Sequence, residues 1–216
     1  MRLLVLSLAA AFAVATFFPL DRAGAQSRLP DDLQTEERAV RAPLPDDLPD
    51  EEAAYGKASV LDRLFVSLKE SDSESSARPI ERAIQSIWIR GETDTANLMV
   101  RWGMRAMNAE EMDKAVRFFT TAIEHEPDFM EAWNKRATAY FVMKDYARSL
   151  EDIRVVLAME PRHYGALAGL GIIMRQLGNE EAALNAFRAA LAVNPHLSMP
   201  ARAIKELEPQ VEGRGI

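Results

Sequence analysis

Three histidines, His125, His163 and His196, are the side chains best suited to ligate a metal or move a proton near neutral pH, because the chain contains no cysteine. A shared metal would need the three rings to converge, yet each lies near the end of a separate, regularly spaced segment, so they are expected as loop or helix-end residues. Carboxylates such as Glu124, Glu126, Glu151 and Asp152 fall at the spacing of solvated helix faces, and acid and base work would need a pocket to shift their titration. No phosphate-cradling loop, nucleophile elbow or HExxH pattern occurs, and without Cys there is no disulfide framework, zinc ribbon, thiol nucleophile or lipidated cysteine. No catalytic residue, cofactor or metal is therefore expected. The formal charge is -7, with 26 basic against 33 acidic residues, which is not the basic footprint of a nucleic-acid binder. One charge stands apart. Arg136 occupies a position that should be at least half buried, so it needs a carboxylate or several carbonyls, with Asp152, Glu131 and Asp128 as candidates, and an internal clamp between helices is favoured over a ligand contact.

The elements that position these groups are set by a repeat. Pro127, Pro161 and Pro195 are 34 residues apart, and at that period one column after another aligns. Met99, Trp133 and Leu167 share a column, as do Trp102, Arg136 and Leu170; Gly103, Ala137 and Gly171; Ala106, Tyr140 and Met174; Ala115, Ser149 and Ala183; Phe119, Ile153 and Phe187; Ala122, Val156 and Ala190; and Ile123, Leu157 and Leu191. Apolar columns three or four apart predict two amphipathic helices per unit, with polar turns near Asn108, Lys144 and Gly178. The small column at Gly103, Ala137 and Gly171 lets the two helices approach, with Ala115, Ser149 and Ala183 expected to accept that contact. The proline closes each unit, because the residue before it is pushed out of the helical region.

These columns resemble the tetratricopeptide repeat, a family of helix-turn-helix units, over 96–129, 130–163 and 164–197. Two positions depart from the pattern: Arg136 replaces an apolar residue and Ser149 the usual Ala. The resemblance implies an all-α fold, a right-handed α–α superhelix whose first helices line a concave groove and bind a peptide or partner protein. Carried over residue by residue, that groove comprises Val100, Met104 and Met107 from the first unit, Asn134, Thr138 and Phe141 from the second, and Ala168, Ile172 and Arg175 from the third. Its lining reads as mainly apolar, and Met-bearing apolar grooves suit a peptide with apolar anchors. Some members grip a terminal carboxylate here; the matching positions hold Val100, Met104, Lys135, Gly165 and Gly169, so only Lys135 of that grip is present.

Outside the units the chain changes character. Arg2, an apolar run over 3–20 and the small triplet Ala23, Gly24, Ala25 have the layout of a secretory signal peptide, 1–25, with an uncleaved anchor as the rival reading. Cleavage before Gln26 would remove Arg2, Arg22 and Asp21 and leave a formal charge of -8 and no stable membrane span. Residues 26–57 read as a disordered acidic Pro-rich arm. In it Leu29, Pro30, Asp31, Asp32, Leu33 recurs as Leu44, Pro45, Asp46, Asp47, Leu48, either as low-complexity duplication or as a duplicated linear motif. Residues 58–95 read as a helical hairpin, a cap or degenerate repeat: Leu61, Leu64, Phe65 and Leu68 form one apolar face, and Ile80, Ala83, Ile84, Ile87 and Trp88 another, with Pro79 in the first turn and Gly91 at the end. The hairpin either caps the array or fills its groove. Residues 198–216 read as a capping helix to Glu208, with Ala203, Ile204 and Leu207 inward, and a tail. The expectation is an exported, periplasmic or secreted scaffold for protein partners with a role in the cell envelope, not an enzyme and not a nucleic-acid binder; the alternative is a small-ligand-binding or enzymatic protein using the apolar groove.

Overall fold

The computed structural model describes residues 51–212; the stretch read as a signal peptide, most of that read as an acidic arm with its duplicated motif, and 213–216 lie outside the described residues. All regular structure among the described residues is helical. The helices are α1 (Glu51–Glu70), α2 (Glu74–Trp88), α3 (Asp94–Asn108), α4 (Met112–His125), α5 (Met130–Val142), α6 (Tyr146–Met159), α7 (Tyr164–Gln176), α8 (Glu180–Val193) and α9 (Ser198–Glu212). Helices α3 to α8 form the three expected pairs, and each second helix also packs on the first helix of the next pair. The core is therefore a chain of clusters rather than one centre. Val100 and Phe119 of the first unit join Ala132 and Ala139 of α5, Ile153 and Val156 of the second join Ala166 and Ile173 of α7, and Leu184 and Phe187 of the third join Ala203 and Leu207 of α9.

The turns repeat as well. Within each unit the first helix ends on a residue of positive φ, Glu110 at 61°, Lys144 at 62° and Gly178 at 76°. The next N–H then donates five residues back, Glu111 to Ala106, Asp145 to Tyr140 and Asn179 to Met174, each at 2.9 Å. Between units, Glu126, Glu160 and Asn194 are extended before their prolines, as pre-proline sterics require. Their side chains accept backbone N–H groups at these junctions. Glu126 accepts from the N–H groups of Glu92 at 2.7 Å and Thr93 at 3.0 Å, and Asn194 accepts from the N–H of His196 at 3.0 Å.

The small column works differently from expectation. A Cβ added to Gly103 would lie 2.4 Å from the Phe119 ring, and one on Gly171 2.5 Å from Phe187, so the atoms nearest the missing side chain belong to the large residue of the second helix. Volume is conserved across the pair: Gly103 faces Phe119, Gly171 faces Phe187, and the middle unit pairs Ala137 with the smaller Ile153 at the matching positions. Ser149 does meet the small column, donating from its fully buried hydroxyl to the Ala137 carbonyl at 2.8 Å. Gly171→Leu is expected to destabilise the protein by about 1–3 kcal/mol through overpacking. Exposed Glu181→Leu should leave the urea midpoint nearly unchanged, and equal midpoints for the two variants would contradict this packing.

Three boundaries differ from the sequence reading. Helix α1 begins at Glu51, inside the stretch read as a disordered arm, and is broken at Gly56 (φ 72°, ψ 158°). The segment Glu51, Glu52, Ala53, Ala54 has good helix formers with acidic residues at the positive end of the helix dipole. Helix α2 begins at Glu74, which places Pro79 inside it rather than in its first turn. The start is fixed by Ser73, which caps the Ser76 N–H at 3.3 Å while Ser76 Oγ accepts from the Ser73 N–H at 3.2 Å. The missing Pro79 N–H is offset by burial of Ala77, Ile84 and Trp88. Helix α9 runs through Pro209 to Glu212, because Val211 adds a further apolar contact to the cluster under α9.

Candidate protein-binding surface

The first helices of successive units touch directly, α3 with α5 and α5 with α7, whereas the second helices do not pack on one another to that degree. The array therefore bends toward its first helices, which form the inner layer. Of the nine expected groove residues, Met104, Thr138 and Arg175 are exposed, and Asn134, Ala168, Met107, Phe141 and Ile172 are half-buried. Val100 does not line the groove. It is 2% exposed and joins the cluster of Phe119, Phe129 and Ala132, where a branched apolar side chain gains more than it would facing water. Met107 packs on that same cluster, Phe141 lies 5.9 Å from the Tyr146 ring, and Ile172 packs on the cluster beneath α9. The apolar groove residues are thus largely drawn into the core. What faces outward is a mixed strip: Met104, Thr138 donating to the Asn134 carbonyl at 2.9 Å, Ala168, and Arg175 paired with Glu206 at 2.8 Å.

The N-terminal hairpin neither stacks on the first unit as a cap nor covers the nine groove positions. Leu61, Phe65, Leu68, Ala77, Ile84 and Trp88 form a cluster with Tyr164, against which Met130, Val193 and Leu197 pack, so α1 and α2 lie across the turns that lead into α5, α7 and α9. Trp88 stacks on His163 with ring centroids 4.2 Å apart and tilts against Tyr164 at 5.3 Å. Polar contacts fix the register. Gln85 donates to Tyr164 Oη at 3.3 Å, His196 Nε2 donates to the Ser71 carbonyl at 3.0 Å, and Asn194 donates to Glu81. Arg162 reaches Asp62 at 2.6 Å while its guanidinium covers the Phe65 ring at 4.4 Å.

Beneath the hairpin lies a buried ionic group that the sequence did not disclose. His163 is 3% exposed, and its Nδ1 accepts the Ala166 N–H at 2.9 Å, capping α7. Nε2 must then carry the proton, which it donates to Glu131 Oε2 at 3.1 Å. Lys135 holds the other oxygen of Glu131 at 2.8 Å, so the one cation matching the family's carboxylate grip is engaged internally. Burial alone would raise the Glu131 carboxyl, but Lys135 and the hydrogen bond from His163 outweigh it and hold the group at about 2. The folded state thus binds this proton more weakly than the unfolded chain does. The contribution is fully present above the ordinary value of 4.5 and is lost as pH falls through about 2, on the order of 3 kcal/mol. Urea midpoints taken from pH 7 to pH 2.5 should fall more steeply for the natural protein than for Glu131→Gln, and parallel profiles would remove Glu131 as the cause.

The histidines do not converge. His125 is exposed in the last turn of α4, His163 stacks on Trp88 of the hairpin while bonding Glu131, and His196 bonds Ser71. No group of three or more His, Asp or Glu among the described residues is arranged to hold a metal. A signal for His163 was present in the sequence: it shares a column with Phe129 and Leu197, so a polar ring stands where its repeats carry apolar side chains. Arg136 behaves as an internal clamp. Its Nε and one terminal nitrogen hold both oxygens of Asp152 at 2.8 Å, and the other reaches Thr120 Oγ1 of the preceding unit at 3.0 Å. Glu131 and Asp128 are not its partners, because Glu131 is committed to Lys135 and His163.

Comparison with known proteins agrees with this architecture. The profile of the family described as tetratricopeptide repeat matches residues 100–156 and 134–197. A TPR repeat-containing protein of Rhizobium etli is 38% identical over 135 residues, covering 62% of this chain and 66% of that protein. Protein bimA of Emericella nidulans is 29% identical over 83 residues, 38% of this chain and 10% of its own length. Among solved structures, the Arabidopsis OM64 TPR domain superposes with a TM-score of 0.52 at 23% identity, covering 54% of this chain and 97% of that one. The first TPR of Spaghetti (RPAP3), bound to the HSP90 peptide SRMEEVD, superposes with a TM-score of 0.54 at 18% identity, covering 56% and 96%. The 34-residue column order, the paired helices stacked unit on unit, and these matches together place the chain in the tetratricopeptide repeat family.

Proposed function

We propose that this protein is a non-enzymatic scaffold that binds a peptide or partner protein along its inner layer, and that it works outside the cytoplasm, in the periplasm or as a secreted protein, in assembly or maintenance of the cell envelope. The observation that carries the binding reading is the strip left open once the hairpin and α9 are docked: Met104 is 38% exposed and continues through Thr138 to Arg175 on three adjacent first helices. A strip of one apolar anchor flanked by small and polar residues suits an extended peptide better than an enclosed small molecule. A structural neighbour holding an HSP90 peptide supports the same mode. The buried or half-buried charged groups Glu131, Arg136, Glu160 and Arg162 are committed to ion pairs within the chain, which supports binding rather than catalysis. The export reading rests on the sequence of residues 1–25, with its apolar run and Ala23, Gly24, Ala25 end.

Selection of random displayed peptides on the natural protein and on Met104→Glu with Thr138→Glu tests the binding reading. Peptides enriched on the natural protein should lose at least about tenfold in affinity on the variant, a loss of about 1.4 kcal/mol, while the exposed positions leave melting unchanged. Peptides that bind both proteins equally would place the site elsewhere. For export, the mature protein from its native host should begin at Gln26 by intact mass, and retention of 3–20 would make it membrane-anchored instead.

A further inference from the structure

The upstream end of the array carries a second surface, separate from the inner strip. In the second and third units the column of Trp102 faces the preceding unit: Arg136 bonds Thr120 of the first unit, and Leu170 packs with Ile153 and Val156 of the second. Three further columns agree. Leu98 matches Ala132 and Ala166, exposed 0% and 1%; Arg105 matches Ala139 and Ile173, exposed 0% and 1%; and Phe118 matches Asp152 and Ala186, both buried. In the first unit no preceding pair exists to cover them, because α1 and α2 are docked on the turns before α5, α7 and α9. Trp102 is accordingly 38% exposed, with Phe118 edge-on at 5.6 Å, and the two form the wall of an open pocket of about 410 Å³ with Arg105, Lys114, Glu111 and Ala106.

We propose that this end face docks a helix of another protein that carries aliphatic residues flanked by carboxylates, stacked as the second helix of a preceding unit would be. The charge argument selects that occupant. Arg105 stands where the other units bury apolar side chains, and no carboxylate lies within ion-pair distance of it among the described residues. A helix stacking there covers a guanidinium, which requires a carboxylate from the partner, as Arg136 in the adjacent column obtains one from Asp152. A second copy of this chain fits poorly. End face against end face brings Arg105 and Lys114 of both copies together, and end face against α9 sets Arg105 beside Arg202 and Lys205, with Glu206 and Glu208 already paired to Arg175 and Arg188. An aromatic pair beside a cation is also the composition that concentrates binding energy at protein interfaces.

The test uses the full chain and two stapled helical peptides of equal length, one with leucines on one face flanked by glutamates and the other with the glutamates replaced by lysines. Isothermal titration should show the acidic peptide binding at least about tenfold tighter than the basic one, with Trp102→Ala weakening it about tenfold or more and Arg105→Glu reversing the preference. Both residues are exposed, so unchanged melting of the variants separates lost docking from lost folding. Equal binding of the two peptides, or binding that survives Trp102→Ala, overturns the proposal. So does a concentration-dependent dimer in light scattering that Trp102→Glu abolishes, since the face would then be filled by a second copy.

Discussion

Asp152→Ala should destabilise the protein by about 3–5 kcal/mol, because it strips both oxygens from a guanidinium held between helices and leaves the charge uncompensated. The side chains of Arg136 and Asp152 are 14% and 4% exposed, so water can replace little of what is lost. The repeat itself supplies the rescue. The same two columns hold Leu170 and Ala186 in the third unit, so Arg136→Leu combined with Asp152→Ala installs an apolar pair already accepted at an equivalent junction. That double variant should lie within about 1 kcal/mol of the natural protein, since apolar replacement of a buried pair is often neutral or stabilising. Chemical denaturation of the three proteins decides it. A double variant as unstable as Asp152→Ala would mean that the contact to Thr120, not the ion pair, holds this junction.

Trp88→Ala should free the N-terminal hairpin at a cost of about 3–5 kcal/mol, the range for truncating a large buried aromatic side chain. Trp88 is 7% exposed and joins the two sides of the hairpin interface, contacting Phe65 on α1 and His163 and Tyr164 on the array. The three units do not need the hairpin to complete their own clusters, so the loss should be local. Hydrogen exchange should accelerate in α1 and α2 and stay slow in α4, α6 and α8. Trp88→Phe keeps most of the ring contact and removes an indole N–H that is buried without a partner, so it should cost far less than the alanine variant. Uniform acceleration of exchange along the whole chain would show instead that hairpin and array unfold as one unit.

The amino-acid sequence by itself determined the repeating part of this protein. Local periodicity names the helices, pre-proline sterics end each unit, and the alignment of columns shows which residues must sit in equivalent places, because every unit meets its neighbour through the same contacts. Even the departure at Arg136 was legible in part, since a charge in an apolar column demands a partner, but the choice of Asp152 over Glu131 and Asp128 was made by the tertiary structure. Where each unit uses its own solution, the tertiary structure decided. Periodicity does not say that Gly103 and Gly171 make room for Phe119 and Phe187, because that depends on which rings the crossing angle brings together. Nor does it place α1 and α2, whose contacts at Tyr164, Arg162 and His196 lie about 75 to 125 residues further along and leave no period to follow. The docking of that hairpin buries Glu131 with His163 and, by lying on the turns rather than on the first unit, leaves Trp102 uncovered. Such long-range, unrepeated contacts are chosen by shape and charge complementarity between finished surfaces, and no single stretch of sequence carries that information.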